Sequence, residues 1–250
     1  MKKDSNNSNN NSSSPITNND IVIPNDYFIN ATYLSNESEL VKLISDEYDL
    51  NKIKNMSIDG KIIKPLKFYI FIEKGQHIIY YSFNQLSDKS LLSEGRGIFS
   101  GITKLTHIKF SNSFGSNPDV SFQGMFNNCI NLLSVDFSMV EQNDNFYNKY
   151  YETDIYDYYY SMDYMFNNCK KLISINFDYK KEEGSSNLYI ISSKYMFNNC
   201  ESLTELHISR IDFYKNLNNM FSNCVSLNSV FLNDFNYYDK DLNMSYMFYN

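Results

Sequence analysis

One five-residue phrase, Met165-Phe166-Asn167-Asn168-Cys169, constrains this chain more than any other feature, because it recurs. It stands again at Met125 to Cys129, at Met196 to Cys200 and, with Ser222 replacing one Asn, at Met220 to Cys224. A degenerate copy, Ile98-Phe99-Ser100-Gly101-Ile102, precedes them, and a further one opens at Met247 and stops at Asn250. Successive copies start 27, 40, 31, 24 and 27 residues apart. Self-similarity at such periods points to units that stack on their neighbours and share one apolar core.

Each full copy is followed by Leu-x-x-apolar-x-apolar: Leu105/Ile108/Phe110, Leu132/Val135/Phe137, Leu172/Ile175/Phe177, Leu203/Leu206/Ile208 and Leu227/Val230/Leu232. Apolar residues two apart share one face of a strand. Ahead of the strand the period changes. From Met162 to Cys169 the apolar residues fall at i, i+3, i+4 and i+7, which predicts a helix of one to two turns. Asn and Ser after Met-Phe end that helix early, since their side chains compete for backbone groups. The longer steps imply insertions between strand and helix: 138–160, rich in Tyr, and 179–192.

The four cysteines, Cys129, Cys169, Cys200 and Cys224, hold one place in successive units, and Ile102 holds it in the first. Ile can neither ligate metal nor form a disulfide, so the shared requirement is burial. Their spacing also lacks the close pairs of a structural zinc site.

At these residues the chain resembles the BspA-like leucine-rich-repeat proteins, whose units carry a Met-Phe-x-x-Cys-x-x-Leu-x-x-(Leu/Ile)-x-(Leu/Phe) phrase. The stretches Met56 to Lys61 and Tyr69 to Tyr80 are similar to the β region that precedes such arrays. The resemblance implies an α/β solenoid, a right-handed leucine-rich-repeat superhelix without catalytic residues, preceded by a small all-β capping domain. Bacterial relatives are often surface proteins associated with adhesion. The expected division is an Asn/Ser-rich disordered tail over 1–20, a β domain over 21–85 and the array over 86–250, its last unit incomplete. In the β domain, Tyr27–Tyr33, Leu40–Ile44, Ile53–Ile58, Leu66–Ile72 and Ile78–Phe83 read as strands. Asp59-Gly60 reads as a turn, and Glu73 to Gln76 as a tight hairpin loop with Gly75 at positive φ.

Chemistry is sparse. The only histidines are His77, His107 and His207. The last two sit three units apart, roughly 15 Å at strand spacing, too far to share a metal or proton. No Ser-His-Asp set is legible, and Gly95-Arg96-Gly97 lacks the spacing and the Lys-Ser/Thr of a phosphate loop. The expectation is a non-enzyme with no cofactor and no metal.

With Lys plus Arg at 22 against 29 Asp plus Glu, a net charge of -7 disfavours nucleic acid as a partner. No apolar run reaches 18 residues, so no membrane span is expected. Without an apolar leader the expected compartment is the cytosol, the cell surface being the alternative if another export route operates. The function expected is protein–protein recognition by the solenoid. Its alternative is an inert structural or vestigial repeat protein. Candidate binding residues are the outward strand positions Lys109, Asp136, Asn176, His207 and Phe231, with Tyr151, Tyr156, Tyr158 and Tyr159 of the Tyr-rich insertion.

Overall fold

The structure, a computed structural model, describes residues 29–83, 97–111, 122–138, 161–177, 188–209, 211–233 and 242–250. Thirteen strands are described: β1 (Ile29–Ser35), β2 (Glu39–Lys42), β3 (Ile53–Ile58), β4 (Lys61–Ile63), β5 (Phe68–Phe71), β6 (Gly75–Phe83), β7 (Leu105–Phe110), β8 (Ser134–Asp136), β9 (Ser174–Asn176), β10 (Leu188–Ser192), β11 (Glu205–Ser209), β12 (Ile211–Asn216) and β13 (Ser229–Asn233). They form one seven-stranded sheet, ordered β4-β3-β6-β1-β7-β8-β9, and the two-stranded sheets β2-β5, β10-β12 and β11-β13.

The large sheet is mixed. From β4 to β7 neighbours run antiparallel, whereas β7, β8 and β9 run parallel, with His107, Ser134 and Ser174 in register. β1 lies between β6 and β7, so a single ladder crosses from the N-terminal strands to the repeated segments. The turn expected at Asp59-Gly60 joins β3 to β4, with φ of 47° and 82°, as a two-residue hairpin loop requires. The hairpin expected around Gly75 does not form. β5 pairs with β2 and β6 pairs with β1 and β3, so adjacent strands enter different sheets.

The expected helices are also absent. Among the described residues there is no α-helix, and the one helical element is a 3-10 turn at Leu50–Lys52. The α/β leucine-rich-repeat superhelix is thus overturned: the architecture is a mixed, mostly β-sheet one. Its physical reason lies in the repeated phrase. Gly124 and Asn128 have φ of 60° and 62°, and Tyr164/Asn168, Tyr195/Asn199 and Asn219/Asn223 repeat the pair. A left-handed residue every fourth position interrupts an α-helix. The segment instead closes three successive turns, with Met125 N–H on Phe122 O, Asn127 N–H on Gly124 O and Cys129 N–H on Phe126 O.

The alternate N–H groups point out of the turn and donate to the next copy. Phe126 and Asn128 donate to Met165 O and Asn167 O at 2.9 and 2.8 Å; Phe166 and Asn168 donate to Met196 O and Asn198 O, both at 2.8 Å. The Asn side chains continue the pattern in two rows, with Asn198 Nδ2 on Asn167 Oδ1 and Asn199 Nδ2 on Asn168 Oδ1, both at 2.7 Å. Both rows extend back to Asn127 and Asn128 at 2.8 Å.

Beneath these turns lies the core. Phe99, Phe126, Phe166, Phe197 and Phe221 stack in sequence, with ring centroids 5.4–5.8 Å apart, and the exposed Phe248 continues the row at 5.2 Å. Phe110, Phe137 and Phe177 form a second row, at 4.6 and 5.3 Å. A fully buried Phe is worth up to about 3 kcal/mol, so the rows are a large share of what holds successive turns together. The thiol of each Cys donates to a carbonyl of the preceding turn: Cys129 to Phe99 O, Cys169 to Phe126 O, Cys200 to Phe166 O and Cys224 to Phe197 O, at 2.9–3.2 Å.

Candidate functional site

The outward polar column lies on the parallel strands. Lys109, Asp136 and Asn176 are in register on β7, β8 and β9, and Lys109 Nζ is 3.5 Å from an Asp136 carboxylate oxygen. Partial burial pushes the Asp136 carboxyl upward. The Ser138 hydroxyl and N–H and the Lys109 ammonium more than offset that and hold it below its ordinary value. His207 and Phe231 are a pair apart, on β11 and β13, with rings stacked at 4.4 Å. The first three residues belong to the seven-stranded sheet and the last two to a separate two-stranded one. Tyr151, Tyr156, Tyr158 and Tyr159 lie outside the described residues, as does the tail over 1–20.

A constellation that no sequence pattern announces sits among the N-terminal strands. His77 Nδ1 is 2.7 Å from Asp59 Oδ2, and His77 Nε2 is 3.0 Å from Ser35 Oγ. The second Asp59 oxygen accepts from the Ile78 N–H at 2.8 Å, and the imidazole stacks on Phe71 at 3.9 Å. These are the atoms and distances of a nucleophile–base–carboxylate line.

Two observations assign them a structural part. Ser35 is only 2% exposed. Its hydroxyl also donates to Glu73 O at 3.1 Å, and His77 Nε2 lies 3.1 Å from the same carbonyl. The Ser35 hydroxyl proton is thus already engaged by the Glu73 carbonyl. The set ties the end of β1, the β3–β4 turn and the start of β6 together. Its members lie 18 and 42 residues from His77 in sequence, and strand register alone brings them together.

The third feature is an apolar face on the β2–β5 sheet. Leu40 and Ile70 are directly opposite in register, and Phe68, Ile70 and Ile72 follow at two-residue spacing along one face. They are 60%, 56%, 46% and 76% exposed for Leu40, Ile70, Phe68 and Ile72 respectively. The intervening Val41 and Phe71 are buried on the other face. Taking roughly 200 Å² for a fully open large apolar residue, the four expose about 480 Å² together. Patches of that size on a monomer often mark contact sites.

On the same face, Lys42 bonds to Asp46 and lies 5.9 Å over the Phe68 ring; behind it, on the face of Phe71, Glu39 and Lys104 are 2.7 Å apart. The alternation Phe68-x-Ile70-x-Ile72 is visible in the sequence, but a strand covered on both faces reads the same way.

No family model, no curated protein and no solved structure matches the chain. Together with the missing helices, this overturns membership of the BspA-like leucine-rich-repeat family and recognition through such a solenoid. The Met-Phe-Asn-Asn-Cys phrase instead encodes a left-handed-residue turn that donates hydrogen bonds to its next copy. No helix among the described residues is long and apolar enough to cross a membrane.

Proposed function

We propose that this chain is a non-catalytic binding module that engages a protein partner through the exposed face of Leu40, Phe68, Ile70 and Ile72. The observation that carries this reading is the patch itself, four large apolar side chains open to water on a strand pair whose other face is buried. Leaving them uncovered costs roughly 25 cal/mol for every Å² of apolar surface, which a protein partner recovers by burying it. A nucleic acid would instead need a cationic surface, and Lys42, the lysine on this face, is paired to Asp46.

The non-catalytic part is supported by the Ser35–His77–Asp59 set, whose hydroxyl is buried and bonded to Glu73 O. Four free, buried thiols support a reducing compartment, and with it the cytosol. The test is recovery of bound protein from the native cell by the wild-type chain and by Ile70→Lys. The proposal expects the variant to fold with unchanged thermal midpoint and lose the wild type's specific partner. An identical set of bound proteins for both chains contradicts it.

A further inference from the structure

We infer that the partner of the β2–β5 apolar face is a second copy of this chain, the two faces packing against each other about a two-fold axis. This rests on the proposal that the same face is a protein-binding surface. Three features favour self-pairing.

The first is area. About 480 Å² of apolar surface per copy is roughly three-fifths of the ~800 Å² that each partner buries in a standard stable interface. The apolar share of such interfaces is of the same order, close to three-fifths. A rim of ordinary width around the four residues therefore brings a symmetric contact to the size a stable dimer needs.

The second is charge. In a two-fold contact each group meets the partner's equivalent patch, so a rim of one sign would repel itself. Here Lys42, on the same face as Phe68, is matched within the copy by Asp46, and the exposed Glu37, Glu73 and Lys74 near Ile72 bring both signs to the rim.

The third is shape. Leu40, Phe68, Ile70 and Ile72 stand on a regular two-stranded ribbon, extended past β5 by the Ser38 N–H on Ile72 O at 3.1 Å. Ribbon faces of this kind pack on one another at about 10 Å, and Leu40 and Ile70, directly opposed, form a central pair from which the contact extends.

The test is sedimentation velocity of the full chain from about 1 to 100 µM, the range in which a contact at the small end of specific interfaces assembles. Wild type is compared with Ile70→Lys, Ile70→Glu and an equimolar mixture of the two. The inference expects a concentration-dependent shift from 29.4 kDa to twice that mass for wild type. Each variant alone should stay monomeric over the whole range with native circular dichroism, and the mixture should recover at least part of the dimer.

A wild type that is monomeric at 100 µM overturns self-pairing. Loss of a different partner by Ile70→Lys would then still support the binding reading. A dimer that persists undiminished in both variants overturns the inference too, since it would be built on another face.

Discussion

Asn168 is where the account of the repeated phrase can be tested most sharply. Its φ is 59°, its side-chain NH2 donates to Asn128 Oδ1 and its oxygen accepts from Asn199 Nδ2. Replacement by Gly or by Ala removes both amide bonds equally. At about 0.5–1 kcal/mol each for partly exposed bonds, that is roughly 1–2 kcal/mol in either variant.

The variants differ in the backbone. A left-handed residue with a Cβ costs about 1–2 kcal/mol, which Gly avoids; Gly's extra freedom in the unfolded chain returns part of that. Asn168→Gly should therefore be the more stable by about 1 kcal/mol. Were the segment helical, the order would reverse, Ala exceeding Gly by about 1 kcal/mol. Gly101 gives an independent check. Its φ is 72° and nothing lies within 4 Å of where a Cβ would stand, so Gly101→Ala should cost about 1 kcal/mol through conformation alone. Urea unfolding with a common slope reads all three. An Asn168→Ala chain at least as stable as Asn168→Gly would refute the turn.

Two further expectations concern the core. Phe166 stacks between Phe126 and Phe197 at 5.4 Å on either side, so Phe166→Ala should cost about 3–5 kcal/mol, measured as a fall in urea midpoint; a loss below about 1 kcal/mol would mean that the row does not bear on stability. Stability should also fall at alkaline pH. Burial pushes the Cys129 thiol up to about 12 and the Cys224 thiol to about 11, and raises Cys169, Cys200, Tyr33 and Tyr81 as well. In each case the folded chain keeps a proton that the unfolded chain releases. The contribution is full below the ordinary thiol value of 9.0 and is lost as pH rises toward the folded values. Unfolding scans from pH 8 to 11 should show this decline, and the native thiols should resist a disulfide reagent at pH 8 until urea unfolds the chain. A flat profile, or four thiols titrated in the native state, would contradict burial.

Much of the packing was legible in the sequence, because burial repeats wherever the phrase does. Met165, Phe166, Cys169 and Leu172 are all fully buried. The i, i+3, i+4, i+7 spacing that suggested a helix arises equally in a chain of tight turns. There the inward side chains recur at the same offsets while every fourth residue, such as Tyr164 and Asn168, is left-handed.

Asn at 128, 168, 199 and 223 was the clue, since Asn tolerates positive φ. Tyr at 164 and 195, an uncommon residue in that region, concealed the second position of the pair. Strand partners were hidden for another reason. β5 and β6 adjoin in sequence but enter different sheets, and local pattern carries no record of which strand lies beside which. The Ser35–His77–Asp59 set depends on that same register. Which side of β5 stays uncovered depends on everything else in the fold.

The most direct measurement is scalar coupling across hydrogen bonds in a deuterated, 15N,13C-labelled sample. The account predicts couplings from the amide nitrogens of Phe126, Phe166 and Phe197 to the carbonyl carbons of Met165, Met196 and Met220, the next copy of the phrase in each case. Couplings from those nitrogens to carbonyls four residues earlier in the same copy would contradict it.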